Sequence, residues 1–323
     1  GQWCVYPNFE EIKKYTGVLK ATNFEIFKES LEANHMGHQA RDFLMASGKL
    51  QALCYKAEVE AALRTPGFAG FQLLMLHDFP GQGTALVGVL DPFFESKGYI
   101  SPHEFRQFCN STVPLARMDR RIYTSGENFR ASLELSHFGE APLEDASISC
   151  RIIDPEEKTV FEKAWEKPVV PVDNAISVGE VTYSLQEINE AGKYRLEVSL
   201  EGTEARNSWD FWVYPDGPEP DPGQVWITRD LDRKTLKKLS RGQPVLLLAH
   251  GQVDSTHGAE VAIGFSSIFW NTAWTGGQAP HTLGILCDPG HGVFQDFPTE
   301  YHSNWQWWDP VSHSQAMILD HLP

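Results

Sequence analysis

The sequence predicts a multidomain α/β plus β protein in three modules, and three observations predict it. Residues 9–63 repeat apolar side chains at helical spacing and then give way to an apolar run, Phe68–Leu76, which ends in a polar, glycine-rich turn. From Arg121 to Tyr214 the period changes to alternation. After a proline-rich stretch, a strand–helix–strand pattern opens at Val225. A chain of 323 residues also exceeds what one core usually organises, since domains cluster at roughly 100–150 residues.

In the first module Phe9, Ile12 and Tyr15 share one helical face. Phe24, Phe27 and Leu31, then Phe43, Leu50 and Leu53, continue at similar spacing, so two or three helices fit. Pro66 and Gly67 break the pattern. The following run, to Leu76, suits a strand buried on both faces, as in a parallel sheet or barrel. It ends in His77-Asp78-Phe79-Pro80-Gly81-Gln82-Gly83, at the strand edge where α/β folds gather the groups that contact ligands. A helix around Pro102–Cys109 closes the module near Leu115.

Alternating segments over 129–136, 146–153, 178–185, 194–200 and 207–214 predict an immunoglobulin-like β-sandwich, with Trp209 and Trp212 at its core and edge. Pro215–Gly223 holds four prolines in nine residues, which makes it an extended, stiff linker. Beyond it, Val225–Thr228 reads as a strand and Asp232–Leu239 as a helix capped by Asp230 or Asp232 and stopped by Gly242. Val245–Ala249 reads as a second strand, so the pattern opens a doubly wound α/β domain. The rest is loop-like and aromatic, with fewer strands than such a sheet needs, and predicts a truncated domain. The apolar, aromatic opening Gly1–Pro7 likewise reads as a cut inside a folded unit.

The formal charge of −16 argues against a nucleic-acid partner, because phosphate binding needs Lys and Arg to displace counterions. Hydrophobic residues at 41% and charged residues at 22% are those of a folding chain. No apolar run approaches the ~20 residues that span a bilayer. The five cysteines are scattered without Cys-x-x-Cys spacing and read as buried thiols. Neither a metal nor a cofactor is expected: spacing alone is weak evidence for ligation, His35 and His38 sit where a helix ends and suit C-capping, and the later His250, His257, His281, His291, His302 and His313 read as surface or loop residues.

Chemistry at a sugar would need two carboxyl groups facing it, and in the first module only Asp78 and Asp91 occupy strand-end or turn positions. His77 and Asp78 could reach a pocket beside Gln82. After Ala249, His250–Ser255 has no nucleophile at the elbow position, and Cys287 lies in a distant loop. The last module is therefore expected to be non-catalytic. Asn304–Asp309, with Trp305, Trp307 and Trp308, could grip a saccharide or anchor a loop, and anchoring is the preferred role.

Gly1–Pro7, Gly70–Phe79 and the sandwich ending in Asn207–Pro215 resemble the family 2 glycoside hydrolases, the bacterial β-galactosidase and β-glucuronidase group. In that family an (α/β) barrel with two catalytic glutamates accompanies immunoglobulin-like domains. The resemblance implies that Gly70–Asp78 is the eighth barrel strand, that the nucleophilic Glu falls before Gly1, and that the acid/base Glu lies further upstream. It makes 1–118 the C-terminal portion of a TIM-barrel-like glycosidase domain, a partial (α/β) barrel segment. The sandwich is then 119–215, the linker 216–223, and 224–323 an α/β domain similar to flavodoxin-like or amidotransferase-like tails. Ile268–Asn271, Pro280–Gly284 and Phe297–Thr299 carry that last likeness.

The implied function is the C-terminal part of a retaining exo-β-glycosidase acting on polysaccharide-derived oligosaccharides, inactive alone, from the periplasm or exterior of a bacterium. Its carbohydrate would meet Trp3, His77, Asp78 and Gln82, with no catalytic residue in the chain. A complementary polypeptide or an oligomer would cover the incomplete barrel. The alternative is a non-catalytic carbohydrate-binding or scaffold protein.

Overall fold

The computed structural model describes residues 3–18, 20–79, 85–217, 221–249, 251, 253, 263–265 and 283–318. It is a mixed α/β structure, mostly β-sheet with some helices. A 3-10 helix, Phe9–Lys14, starts on Asn8, whose side chain accepts from Glu10 N. Helix α1 spans Thr22–Ala33 and helix α2 spans Ala40–Leu63. The long α2 is rich in Ala, Leu, Lys, Glu and Gln, which lose little freedom in a helix, and it buries Leu44, Leu50, Cys54, Tyr55, Val59 and Leu63. It stops at Arg64 because Pro66 disfavours helical geometry at the residue before it.

Helix α2 backs a layer of three extended segments. Val5 N donates to Leu86 O at 3.0 Å, and Gln51 Nε2 ties Trp3 O (2.6 Å) to Val87 O (2.9 Å). On the other side of Leu86–Leu90, Asp78 N donates to Leu90 O and Leu90 N to Leu76 O, making a parallel bridge of His77 with Leu90.

This corrects the expectation for Gly70–Asp78. The segment is extended but is not a regular strand buried on both faces: among the described residues it pairs only at His77. Leu73 and Met75 turn inward, whereas Phe71, Leu74 and Leu76 are 42%, 51% and 46% exposed. The physical reason is that α2 and Leu86–Leu90 cover one face and one edge, and no described segment covers the rest.

Helix α3, Pro102–Phe108, carries a full capping box, with Ser101 and Glu104 each satisfying the other's backbone N–H and Pro102 in the first turn. The next segment, β1 (Thr112–Arg117), belongs to the sandwich rather than to the first module, since it pairs antiparallel with β3 (Asn128–His137). One sheet runs β1-β3-β6, with β6 at Asp173–Ser184. The other runs β2-β8-β7-β4-β5, from β2 (Ile122–Thr124), β4 (Leu143–Ile153), β5 (Thr159–Val170), β7 (Gly192–Leu200) and β8 (Arg206–Tyr214).

The two sheets enclose one core that includes Leu133, Val181, Ile148, Leu196 and Trp209. Phe129 and Phe211 stack across it at 4.2 Å. Each such fully buried side chain is worth about 1.5–3 kcal/mol. Strand β5 escapes sequence reading because Glu162, Lys163, Glu166 and Lys167 mask its alternation, and Pro168 marks it as an edge, where charges and proline deter further pairing.

The third module begins as expected. Strand β9 (Trp226–Thr228), helix α4 (Arg233–Leu239) and strand β10 (Val245–Leu247) form a β-α-β unit with β9 and β10 parallel. Asp232 caps α4 by accepting from Thr235 N at 2.7 Å, and Gly242 takes the positive φ of 76° that turns the chain after it. These are the only strands described here, so a doubly wound sheet is not seen among the described residues. His250, Gln252, Asp254, Ser255, His257, Ile268–Asn271, Trp274, Pro280 and His281 lie outside them. Residues 283–318 fold back through one bridge, Leu286 to His302, and end in helix α5, Trp308–Ser312. No helix among the described residues is long and apolar enough to cross a membrane.

Gly48 lies inside α2 where the Tyr99 ring crosses it, and a Cβ there would sit 2.1 Å from Tyr99 Cδ1. Gly-to-Ala in a helix ordinarily gains up to about 1 kcal/mol, but overpacking costs about 1–3 kcal/mol. Gly48→Ala is therefore expected to destabilise the protein, read as a lower urea midpoint with unchanged slope.

Candidate functional site

The residues singled out in the first module fall around the layer of extended segments. Asp78 is 1% exposed. Lys97 Nζ donates to its Oδ1 at 2.8 Å and lies 2.7 Å from Oδ2, while Gly88 N donates to Oδ1 at 2.8 Å. Its carboxylate is thus engaged inside the protein rather than offered at the strand end. Burial pushes its pKa above the usual carboxylate range, against the pull of the Lys97 ammonium. Gly88 must be glycine here, since a Cβ would meet the His77 backbone at 2.2 Å.

His77 remains half-buried; its Nδ1 is 2.7 Å from Asp78 O, and its ring packs on Phe94 at 4.3 Å. Trp3 packs among Leu50, Cys54 and Trp305, on the other side of Leu86–Leu90 from His77, and its indole Nε1 is buried with no described acceptor. The layer thus brings Trp3 and the His77-Asp78 pair to opposite edges of one segment. Gln82 lies outside the described residues, as does the turn Pro80–Thr84.

Beside Asp78 lie groups that sequence reasoning passed over or left unassembled. Asp91, 2% exposed, accepts from Phe93 N at 2.8 Å, from Glu95 N at 2.9 Å and from Lys14 Nζ. Burial raises its pKa, but the Lys14 and backbone hydrogen bonds outweigh it and hold the carboxyl below its ordinary value. Glu11 is wholly buried, and neither of its oxygens has a described hydrogen-bond partner. Burial pushes its pKa up to about 7, with Lys97 pulling down and Asp78 and Asp91 pushing up. No sequence signal marks Glu11, which sits in a charged stretch, Glu10–Lys14, that reads as solvent-facing.

Three carboxyls and two lysines therefore form an internal cluster under the His77 edge. It can hold a proton on Glu11 near neutrality and fix the Asp78 backbone, yet among the described residues no two carboxylates face an open cleft together. No group of three or more His, Cys, Asp or Glu side chains among the described residues is arranged to hold a metal.

The tryptophan cluster at the C-terminal end is largely an anchor. Gln306 Nε2 donates to Pro298 O, Tyr214 Oη to Gln306 Oε1, and Trp307 Nε1 to Thr299 Oγ1, at 2.7–2.9 Å. Trp305 stacks on Phe265. Within this cluster Trp308 is the exposed ring, at 56%.

The unfolded chain releases the Glu11 proton near pH 4.5, whereas the folded protein keeps it until about 7. Folding is thus unpenalised below the lower value, loses stability between the two, and stays penalised above. Glu11→Gln is expected to stabilise the protein at pH 8 by roughly 1–3 kcal/mol, with the gain vanishing toward pH 4.5. Urea unfolding across that range measures it.

Two family models match parts of the chain: a domain of unknown function, DUF8488, over residues 127–215, and a second, DUF8487, over residues 226–323. No curated protein matches it. Among solved structures, the exo-chitosanase CsxA of Amycolatopsis orientalis is similar at 11% identity and a TM-score of 0.34, over 55% of this chain and 19% of that one. The β-glucuronidase of Parabacteroides merdae is similar at 10% identity and a TM-score of 0.24, over 32% and 13%. The α-2-macroglobulin of Escherichia coli is similar at 16% identity and a TM-score of 0.26, over 37% and 10%. The chain spans less than a fifth of each of these three proteins, and at such scores the likenesses carry no conclusion about activity.

Proposed function

We propose that the chain is a non-catalytic, carbohydrate-related portion of a retaining exo-β-glycosidase of the family 2 type, whose first module contributes one wall of a saccharide pocket. The observation that supports this best is the layer Trp3–Val5, Leu86–Leu90 and Leu76–Asp78. It has the parallel bridge of a barrel-type sheet, helix α2 on one side, and Phe71, Leu74, Leu76 and Phe94 exposed elsewhere. On this reading the His77 edge and Gln82 meet the sugar, Trp3 closes the opposite edge, and Asp78 positions the turn through Lys97 and Gly88. The catalytic carboxylates would come from outside this chain, since Glu11, Asp78 and Asp91 are each 2% exposed or less and a glycosidase needs two carboxyls flanking its bond.

The alternative, a stand-alone carbohydrate-binding module, is favoured by the exposed Trp308 ring, a flat apolar surface of the kind on which sugars stack.

The purified chain is expected to release no nitrophenol from aryl β-glycosides. Efficient release, reduced at least tenfold by His77→Ala, would overturn the non-catalytic reading. In calorimetry with β-linked oligosaccharides, heat lost on His77→Ala supports the pocket wall, and heat lost on Trp308→Ala supports the alternative. Absence of heat in both cases rejects a saccharide site on either.

A further inference from the structure

Away from the His77 edge, helix α2, strand β8 and the C-terminal segment enclose a cavity of about 390 Å³, within the size range of small-molecule sites. Leu53, Ile100, Phe108, Trp209 and Trp305 supply its apolar wall.

Its charges are unequally paired. Glu60 takes both Lys56, at 2.5 Å, and Arg64, at 3.4 Å. Lys193 lies 2.6 Å from Glu300 and 3.9 Å from Asp210. Arg121 lines the same cavity, donates from Nη1 to the backbone carbonyl of Asp210 at 2.9 Å, and stands over the Trp305 ring at 5.6 Å. Among the described residues no carboxylate lies within ion-pair distance of it. Of the residues lining the cavity, the cations Lys49, Lys56, Arg121 and Lys193 equal in number the carboxylates Glu60, Glu104, Asp210 and Glu300; Lys49, Lys56 and Lys193 each have a carboxylate at ion-pair distance, and Arg121 does not.

A guanidinium has five N–H donors in a planar fork that matches a carboxylate bidentately. The donors of Arg121 beyond Nη1 have no protein acceptor among the described residues. The same cavity is lined by acceptors in the same condition. Glu300 Oε2 is buried and unpartnered, and His302, kept neutral by burial, has its Nδ1 3.1 Å from Ser303 O, which leaves Nε2 to accept. A ligand with one carboxylate and neighbouring hydroxyls would satisfy both sets, with its carbon skeleton against Trp209 and Phe108.

We propose that this junction cavity binds a small hydroxylated monocarboxylate, such as a sugar acid or a hydroxy acid, through the guanidinium of Arg121. The proposal does not depend on the glycosidase reading, because it concerns other residues in another cavity.

The test follows tryptophan fluorescence of the whole chain titrated with glucuronate, with lactate, and with glucose as the neutral control. Saturable change with glucuronate alone supports a sugar acid, and change with both acids supports a general hydroxy-acid site. Arg121→Gln is expected to weaken binding at least tenfold. Should that variant fail to fold, Ala57→Leu, which fills the cavity from α2 while keeping every charge, is expected to abolish binding. An equal response to glucose, no response to either acid, or unchanged binding in Ala57→Leu would overturn the proposal.

Discussion

Helix α2 meets the sandwich through one buried carboxylate. Glu60, 2% exposed, accepts from Asn207 Nδ2 at 2.8 Å and from Trp209 Nε1 at 2.9 Å, both on β8, while Lys56 and Arg64 hold it from one turn away on either side. Burial opposes the charge, but the Lys56 ammonium and these donors outweigh it and keep the pKa below its ordinary value. A carboxylate removed from water in this way is tolerated only when its lone pairs are met. The angle of α2 on the sandwich is set by that demand, and Asn207 extends it by donating to Pro114 O in β1. Everything that leans on α2, including the layer of extended segments and the junction cavity, takes its position from this joint.

The first module shows the same logic at smaller scale. The Asp78–Lys97 pair, with both side chains 1% exposed, crosses from one extended segment to the chain leading into α3, and Gly88 threads between them. Such a pair contributes little net stability against an apolar substitute, but breaking it leaves an uncompensated charge. Its role is to fix the backbone at His77. Glu11 beside it is the unsatisfied member of the cluster, and the proton it keeps near neutrality is the consequence.

The C-terminal segment closes the structure by a different means. Asn304 donates to Asp210 at 3.0 Å, Lys193 bridges toward Glu300, and Trp305 and Trp307 pack into aromatic neighbours. The outer face of β8 is thereby covered, which is why Trp212, pointing away from the sandwich core, is as fully buried as Phe211 pointing into it. Charged side chains collect at this seam because α2, α3, β7, β8 and the C-terminal segment each bring one or more of them to it.

Local periodicity by itself determined the helices of 9–63, the strands β3, β4, β6, β7 and β8, the proline-rich break and the β-α-β opening with its Asp232 cap, because each depends on neighbours within a turn or a hairpin. It also pointed to the His77-Asp78 edge, since an apolar run ending in a glycine-rich turn is a local signal. Tertiary structure alone decided the rest. Strand β1 joins the sandwich because β3 offers it an edge, and the apolar run Phe68–Leu76 lies half exposed because only one face and one edge of it are covered. The i, i+4 series Lys56, Glu60, Arg64 reads in sequence as a solvated helix face, and Glu11 as part of a surface charge run. Both are buried or half-buried because distant segments close over them, and the pairing of charges across 19 residues, as in Asp78–Lys97, or 107, as in Lys193–Glu300, is a property of packing that no local pattern encodes.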